Sequence, residues 1–132
     1  MVTKAFKVAL GLAVAVMAPW AVADAPHGLE RSVVTTGDVA QGGYQAVVAR
    51  VTLAPGGSSG RHTHPGDEIS YVVSGQAELR VDGQPVQTVE ADHAFVVSAG
   101  KVHELRNTTD KPVVLIGTYV VKKGQPLATP SP

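Results

Sequence analysis

Gly56-Gly57-Ser58-Ser59-Gly60-Arg61-His62-Thr63-His64-Pro65-Gly66-Asp67-Glu68, followed by Gly75, is the stretch on which the reading of this chain turns. His62 and His64 come directly after a Gly/Ser-rich turn. Residues two apart in extended chain point to the same face, so both imidazoles can meet one metal ion. Pro65-Gly66-Asp67 is a turn that can swing the Glu68 carboxylate back to the same point. His103, from a distant strand, would close the set. Borderline divalent metals favour this mixture of imidazole and carboxylate. Four protein ligands leave a position open in a five- or six-coordinate ion, and an open position separates a working metal from a structural one.

Outward from this stretch, the chain reads as strands almost throughout. Val, Ile and Thr recur in short runs separated by Gly, Pro, Asp and Asn. The pattern predicts strands near Ser32–Thr36, Tyr44–Leu53, Ile69–Val73, Ala77–Val81, Val86–Glu90, His93–Val97, His103–Arg106 and Val113–Val121. Asp82-Gly83 predicts a two-residue hairpin turn. Val47, Ala49, Val51 and Leu53 share one face of their strand, and Val113–Val121, apolar on both faces apart from Thr118, reads as a central strand. No amphipathic helix is evident beyond the N-terminal segment. Short strands without helices predict an all-β barrel or double-sheet jelly roll. The predicted organisation is a leader with one strand over 24–43, a barrel domain over 44–121 and a frayed, flexible tail over 122–132, rich in Pro.

At this point the chain resembles the cupin superfamily. The first cupin motif runs Gly, five residues, His, one, His, three or four, Glu, six, Gly, and Gly56, His62, His64, Glu68 and Gly75 meet every spacing. The second runs Gly, five residues, Pro, one, Gly, two, His, three, Asn. Gly100, His103 and Asn107 match it, whereas Asp92 replaces the first Gly and Ser98 the Pro. Those two departures bear on turn geometry and not on ligation. The resemblance covers roughly Tyr44 to Val121. It implies a cupin jelly-roll β-barrel (double-stranded β-helix) and makes His62, His64, Glu68 and His103 the ligands of one divalent transition metal: Fe, Mn, Ni, Cu or Zn. Asp67 is a rival carboxylate, but the family spacing selects Glu68 and leaves Asp67 as a solvated turn residue. Asn107 is expected to hold a turn or to orient His103. His27 is expected to be exposed. Sequence does not decide whether His93, Arg50, Tyr71 or Tyr119 faces the pocket.

The N-terminus carries Lys4 and Lys7, an uncharged run from Val8 to Ala18, a break at Pro19-Trp20, and the small-x-small pattern Ala21-Val22-Ala23. This reads as a signal peptide over 1–23, cut before Asp24. The run is shorter than the roughly 18 residues that span a bilayer, and the chain has no Cys for a lipid anchor. The expectation is an exported protein without a membrane anchor after cleavage, periplasmic if the host is a bacterium. Losing Lys4 and Lys7 leaves 9 basic against 11 acidic residues, a net charge of −2. No basic patch is visible, and the remaining aromatics, Tyr44, Tyr71, Phe95 and Tyr119, are too few for a stacking platform. Both features argue against nucleic acid and toward a small-molecule ligand.

Two functions of different classes fit the resemblance. One is a metal-dependent oxygenase of the quercetin-dioxygenase-like kind. Its metal binds a small chelating substrate, and no separate protein acid is essential. The other is a non-catalytic small-molecule or metal-binding module. Fold alone does not choose between them. A homodimer with residues near Ser32–Thr36 in the contact is expected, because a jelly roll has edge strands to cover and two-fold pairing is the commonest closed solution.

Overall fold

The computed structural model describes residues 25–132, so the predicted signal peptide lies outside the described residues. The strands are β1 (His27–Asp38), β2 (Tyr44–Ser58), β3 (His62–Thr63), β4 (Gly66–Ser74), β5 (Gln76–Val81), β6 (Gln87–Glu90), β7 (Ala94–Val97), β8 (His103–Arg106), β9 (Val113–Lys122) and β10 (Thr129–Pro130). All pairings are antiparallel. One sheet runs β1-β2-β9-β4-β7 and the other β10-β3-β8-β5-β6. They join where Ser58, at the end of β2, meets Arg106 of β8. This is the expected all-β jelly roll, with no helix among the described residues.

Alternation decides which side chains enter the barrel. Val47, Ala49, Val51 and Leu53 of β2 are buried, as their shared face predicts. β9 lies between β2 and β4, the central position its apolar composition predicts. Its inward residues form an unbroken buried series from Val113 to Val121, with Gly117 in the middle. A Cβ at Gly117 would lie 2.7 Å from the Tyr119 hydroxyl oxygen, so the glycine makes room for the one large polar ring inside. Two apolar clusters result. The larger includes Leu53, Leu79, Phe95 and Leu115. The smaller joins Val47, Ala49, Tyr119 and Val121, with Leu127 packed on it.

Three expectations are corrected. The leader strand is much longer than Ser32–Thr36: β1 pairs with β2 from His27↔Ser58 to Asp38↔Gln45 and belongs to the barrel wall. The Asp82-Gly83 turn forms, with Gln84 N–H donating to the Val81 carbonyl, but it does not close a two-residue hairpin. Val81 pairs instead with His103, and β5 meets β6 only from Leu79↔Gln87 onward. The tail does not fray. Thr129 and Pro130 pair with Thr63 and His62, and Ser131 N–H donates to the Arg61 carbonyl at 2.9 Å. Its ordering comes from backbone hydrogen bonds and the burial of Leu127, which outweigh the loop-like composition.

Candidate metal centre

His62 sits on β3, His64 follows it, Glu68 is the third residue of β4 and His103 opens β8. All four side chains are buried, and one ligand atom from each lies within 4.8 Å of every other. His62 pairs directly with His103 across β3 and β8. Gly66 makes the turn between His64 and Glu68 possible. It packs against the backbone of Val120, and any Cβ there would collide with the Val120 carbonyl. The turn carrying His103 is tied to the same region, since Gly100 N–H donates to the His64 carbonyl at 3.0 Å and Ala99 N–H to Asp67 Oδ1 at 2.9 Å. Asp67 is thus exposed and faces away from the cluster, but it fastens one motif to the other.

Each imidazole is oriented by a main-chain carbonyl at Nδ1. Gly60 O lies 2.8 Å from His62, Leu127 O 2.6 Å from His64 and Lys101 O 2.9 Å from His103. A carbonyl only accepts, so each Nδ1 carries its proton; a neutral ring then turns an Nε2 lone pair inward, and a protonated ring an Nε2–H. The three Nε2 atoms converge. His62 Nε2 lies 3.1 Å from His64 Nε2, and Glu68 Oε2 lies 3.0 Å from His64 Nε2 and 3.1 Å from His103 Nε2. Ser70 donates to Glu68 Oε1 at 2.7 Å, which leaves Oε2 to the cluster.

The donor set fits a divalent cation. Buried acceptors facing one another require positive charge between them. Ligand atoms bound at right angles at about 2.1 Å lie about 3.0 Å apart, which matches the observed edges. Burial, reinforced by the charges of His103 and His64, pushes His62 down to about 4, against the raising influence of Gly60 and Glu68, so it is neutral and ready to ligate. Burial alone would raise the Glu68 carboxyl. Hydrogen bonds from His103, His64 and Ser70 outweigh it and hold the group well below the usual carboxylate range.

Tyr119 stacks obliquely on His64, with ring centroids 4.8 Å apart. Burial, and then the Glu68 charge, push its hydroxyl well above the ordinary phenol range, so it stays protonated. Arg50, Tyr71, His93 and His27 are exposed and outside the site. Asn107 is buried and holds a turn, with its Nδ2 donating to the carbonyls of Leu53, Ala54 and Lys111. It does not touch His103. Asp92 takes the left-handed conformation at φ 67°, so it reproduces the turn for which the motif has glycine.

An inner cavity of about 20 Å³ reaches His62, Glu68, His103 and Tyr119. An outer pocket of about 190 Å³ opens beyond His62, between Arg31, Arg61 and Pro130. Arg31 lines both spaces and was not legible as a site residue. The one signal in the sequence is strand parity, which puts Arg31 on the same face as Leu29, and both are half-buried in the structure.

Comparison with known proteins agrees with the fold. A germin-like protein (subfamily 2 member 2) of Arabidopsis thaliana is 30% identical over 77 residues, which is 54% of this chain. The match spans 35% of that relative's length, so the chain covers about a third of it. A double-stranded β-helix protein from Klebsiella pneumoniae superposes with a TM-score of 0.64 at 25% identity, over 76% of this chain and 84% of that one. An oxalate oxidase solved with glycolate shares the fold at a TM-score of 0.64 and 24% identity, over 80% and 56% of the two chains. The cupin domain family matches residues 49–128, a span that holds both motifs, all four clustered side chains and the Leu127 carbonyl, and the chain therefore belongs to the cupin family.

Proposed function

We propose that His62, His64, Glu68 and His103 hold one divalent transition-metal ion and that the protein is a metal-dependent oxygenase of the quercetin-dioxygenase-like kind, acting on a small chelating molecule. One observation carries the reading: three carbonyl-oriented imidazoles turn their Nε2 atoms onto each other and onto Glu68 Oε2 inside the barrel. The ion, when bound, supplies a Lewis acid for a chelating enol or phenol. The protein's own groups bind, orient and exclude water. Ser70 fixes the Glu68 carboxylate, protonated Tyr119 walls the site, and Glu68 is the one carboxylate on the cavity lining, held ionised for ligation.

The size of the inner cavity favours a second reading. About 20 Å³ is room for roughly one water, which suits a module that captures a metal or small ligand without turnover. Metal analysis of the purified protein, followed by oxygen uptake with iron, manganese, nickel or copper against small enols and catechols, separates the two. We expect about one metal per chain and oxygen consumption with at least one pair. Stoichiometric metal with no uptake in any combination would select the binding module, and no bound metal would overturn both. The N-terminal pattern supports export, and the long strand β1, paired on one side only among the described strands, supports a homodimer.

A further inference from the structure

Arg31 is out of keeping with its surroundings. It lies on β1 opposite Val51, with its guanidinium over the Tyr119 ring, 5.6 Å from the centroid. It lines the inner cavity together with Glu68 and His103, and it also lines the outer pocket. Its Nε is buried and has no hydrogen-bond partner, the only such side-chain atom among the described residues. No salt bridge among the described residues engages it, and the Tyr119 hydroxyl is the polar neighbour its guanidinium meets, which leaves Nε unmet. The second arginine of the outer pocket, Arg61, is committed by contrast. It donates through both terminal nitrogens to Asp82 at 2.8 Å and through Nε to the Pro132 carbonyl.

An unpartnered buried donor is costly, more so on a charged group, and such a group in a folded protein calls for a partner. The cation–π contact with Tyr119 holds the guanidinium in place, so less freedom is left to lose on binding. A planar fork of N–H donors matches a carboxylate edge to edge. Leu29 and the Tyr119 ring flank the guanidinium and lower the local polarity, which strengthens such a pair.

We propose that Arg31 is a specificity-determining residue that anchors a carboxylate, so the ligand of this site is a small organic anion. The carboxylate meets Arg31 where the two spaces join, a second oxygen of the same molecule points toward the four clustered side chains, and the remainder occupies the outer pocket. The proposal rests on the metal-centre reading for the second oxygen only. The carboxylate contact belongs to Arg31 itself.

Lactate and its uncharged counterpart lactamide are the probes, titrated calorimetrically into metal-loaded and chelator-stripped protein. The variants are Arg31→Gln and Arg31→Lys, with metal content and melting temperature measured for each. We expect wild type to prefer lactate over lactamide by about tenfold or more, the order of one charge-assisted hydrogen bond. Arg31→Gln should abolish that preference while leaving metal content unchanged, and Arg31→Lys should restore part of it. Equal affinity for lactate and lactamide in wild type, or an undiminished preference in Arg31→Gln, would overturn the proposal. Absence of metal from wild type would instead sink the metal-centre reading, and the lactate preference of the stripped protein would still decide the role of Arg31.

Discussion

Asp67 and Glu68 are adjacent carboxylates with opposite fates. Alternation along β4 sends Glu68 inward to two imidazoles and Ser70, and Asp67 outward to the amide of Ala99. Glu68→Ala should weaken metal binding severely, and Asp67→Ala should keep stoichiometric metal while lowering the melting temperature slightly. His62→Ala, His64→Ala and His103→Ala should each abolish stoichiometric metal, and His27→Ala should not. Metal content after dialysis against a weak chelator checks the set, and the reverse behaviour of the two acidic variants would mean that the ligand is misassigned. These four residues are legible in sequence because their spacing is the geometry: two alternating positions, a tight turn and one strand pairing. Arg31 is not, because its meaning comes from β2 and β9, which lie beside and beneath it only after folding. The Asp92 departure from the motif shows the same limit. A non-glycine residue reads as a lost turn, yet it adopts φ 67° and accepts a hydrogen bond from Tyr71 at 2.8 Å.

At the scale of elements, the strands of the two sheets follow from β-branched runs and their punctuation. β3 and β10, two residues each, do not. Their pairing has too few residues to leave a pattern, and the tail that supplies β10 has the composition of a loop. The docked tail nonetheless supplies the Leu127 carbonyl that orients His64. Deleting residues 126–132 should therefore weaken metal binding by about 10–100-fold, the usual consequence of removing a partner that orients a ligand. Competition against a fluorescent chelator measures this. Affinity equal to that of the full chain would show that His64 needs no such support.

For the whole molecule, metal and protons compete for the same atoms. Imidazole ligates only when neutral, and its free pKa is about 6.5. His62 already stands at about 4 in the folded chain. Between those values the unfolded state binds more protons than the folded one, so stability falls as pH drops through that window. The depressed Glu68 carboxyl acts in the same sense at lower pH: its contribution is present above the unfolded carboxylate value and is lost as pH falls toward the folded one. The metal-loaded protein should melt at higher temperature than the chelator-stripped protein at neutral pH, and the gap should close in acid. A gap unchanged at about pH 4.5 would show that the histidines do not hold the ion. Assembly is a separate matter at this scale. β1 pairs only with β2 among the described strands and exposes Val33 and Val34, at 58% and 63%. Long unpaired edges invite pairing with a second copy. Sedimentation should find a dimer at tens of micromolar, an ordinary working concentration, and Val34→Lys should shift it toward monomer. A wild-type monomer at that concentration would rule the dimer out.

At Nδ1, each of the three imidazoles meets a main-chain carbonyl, of Gly60, Lys101 or Leu127, and no side chain. A codon change at those positions replaces a side chain and leaves the oxygen in place. The basicity of the ligands is thus written in a part of the polymer that genetics does not edit. Side-chain substitution would report other things there, backbone strain at Gly60 with its φ of 65° and lost packing at Leu127, while a chemical edit isolates the oxygen itself. Replacing Ala128 by its α-hydroxy acid turns the Leu127 carbonyl into an ester, a poorer acceptor, and detunes His64 without altering a single side chain of the centre.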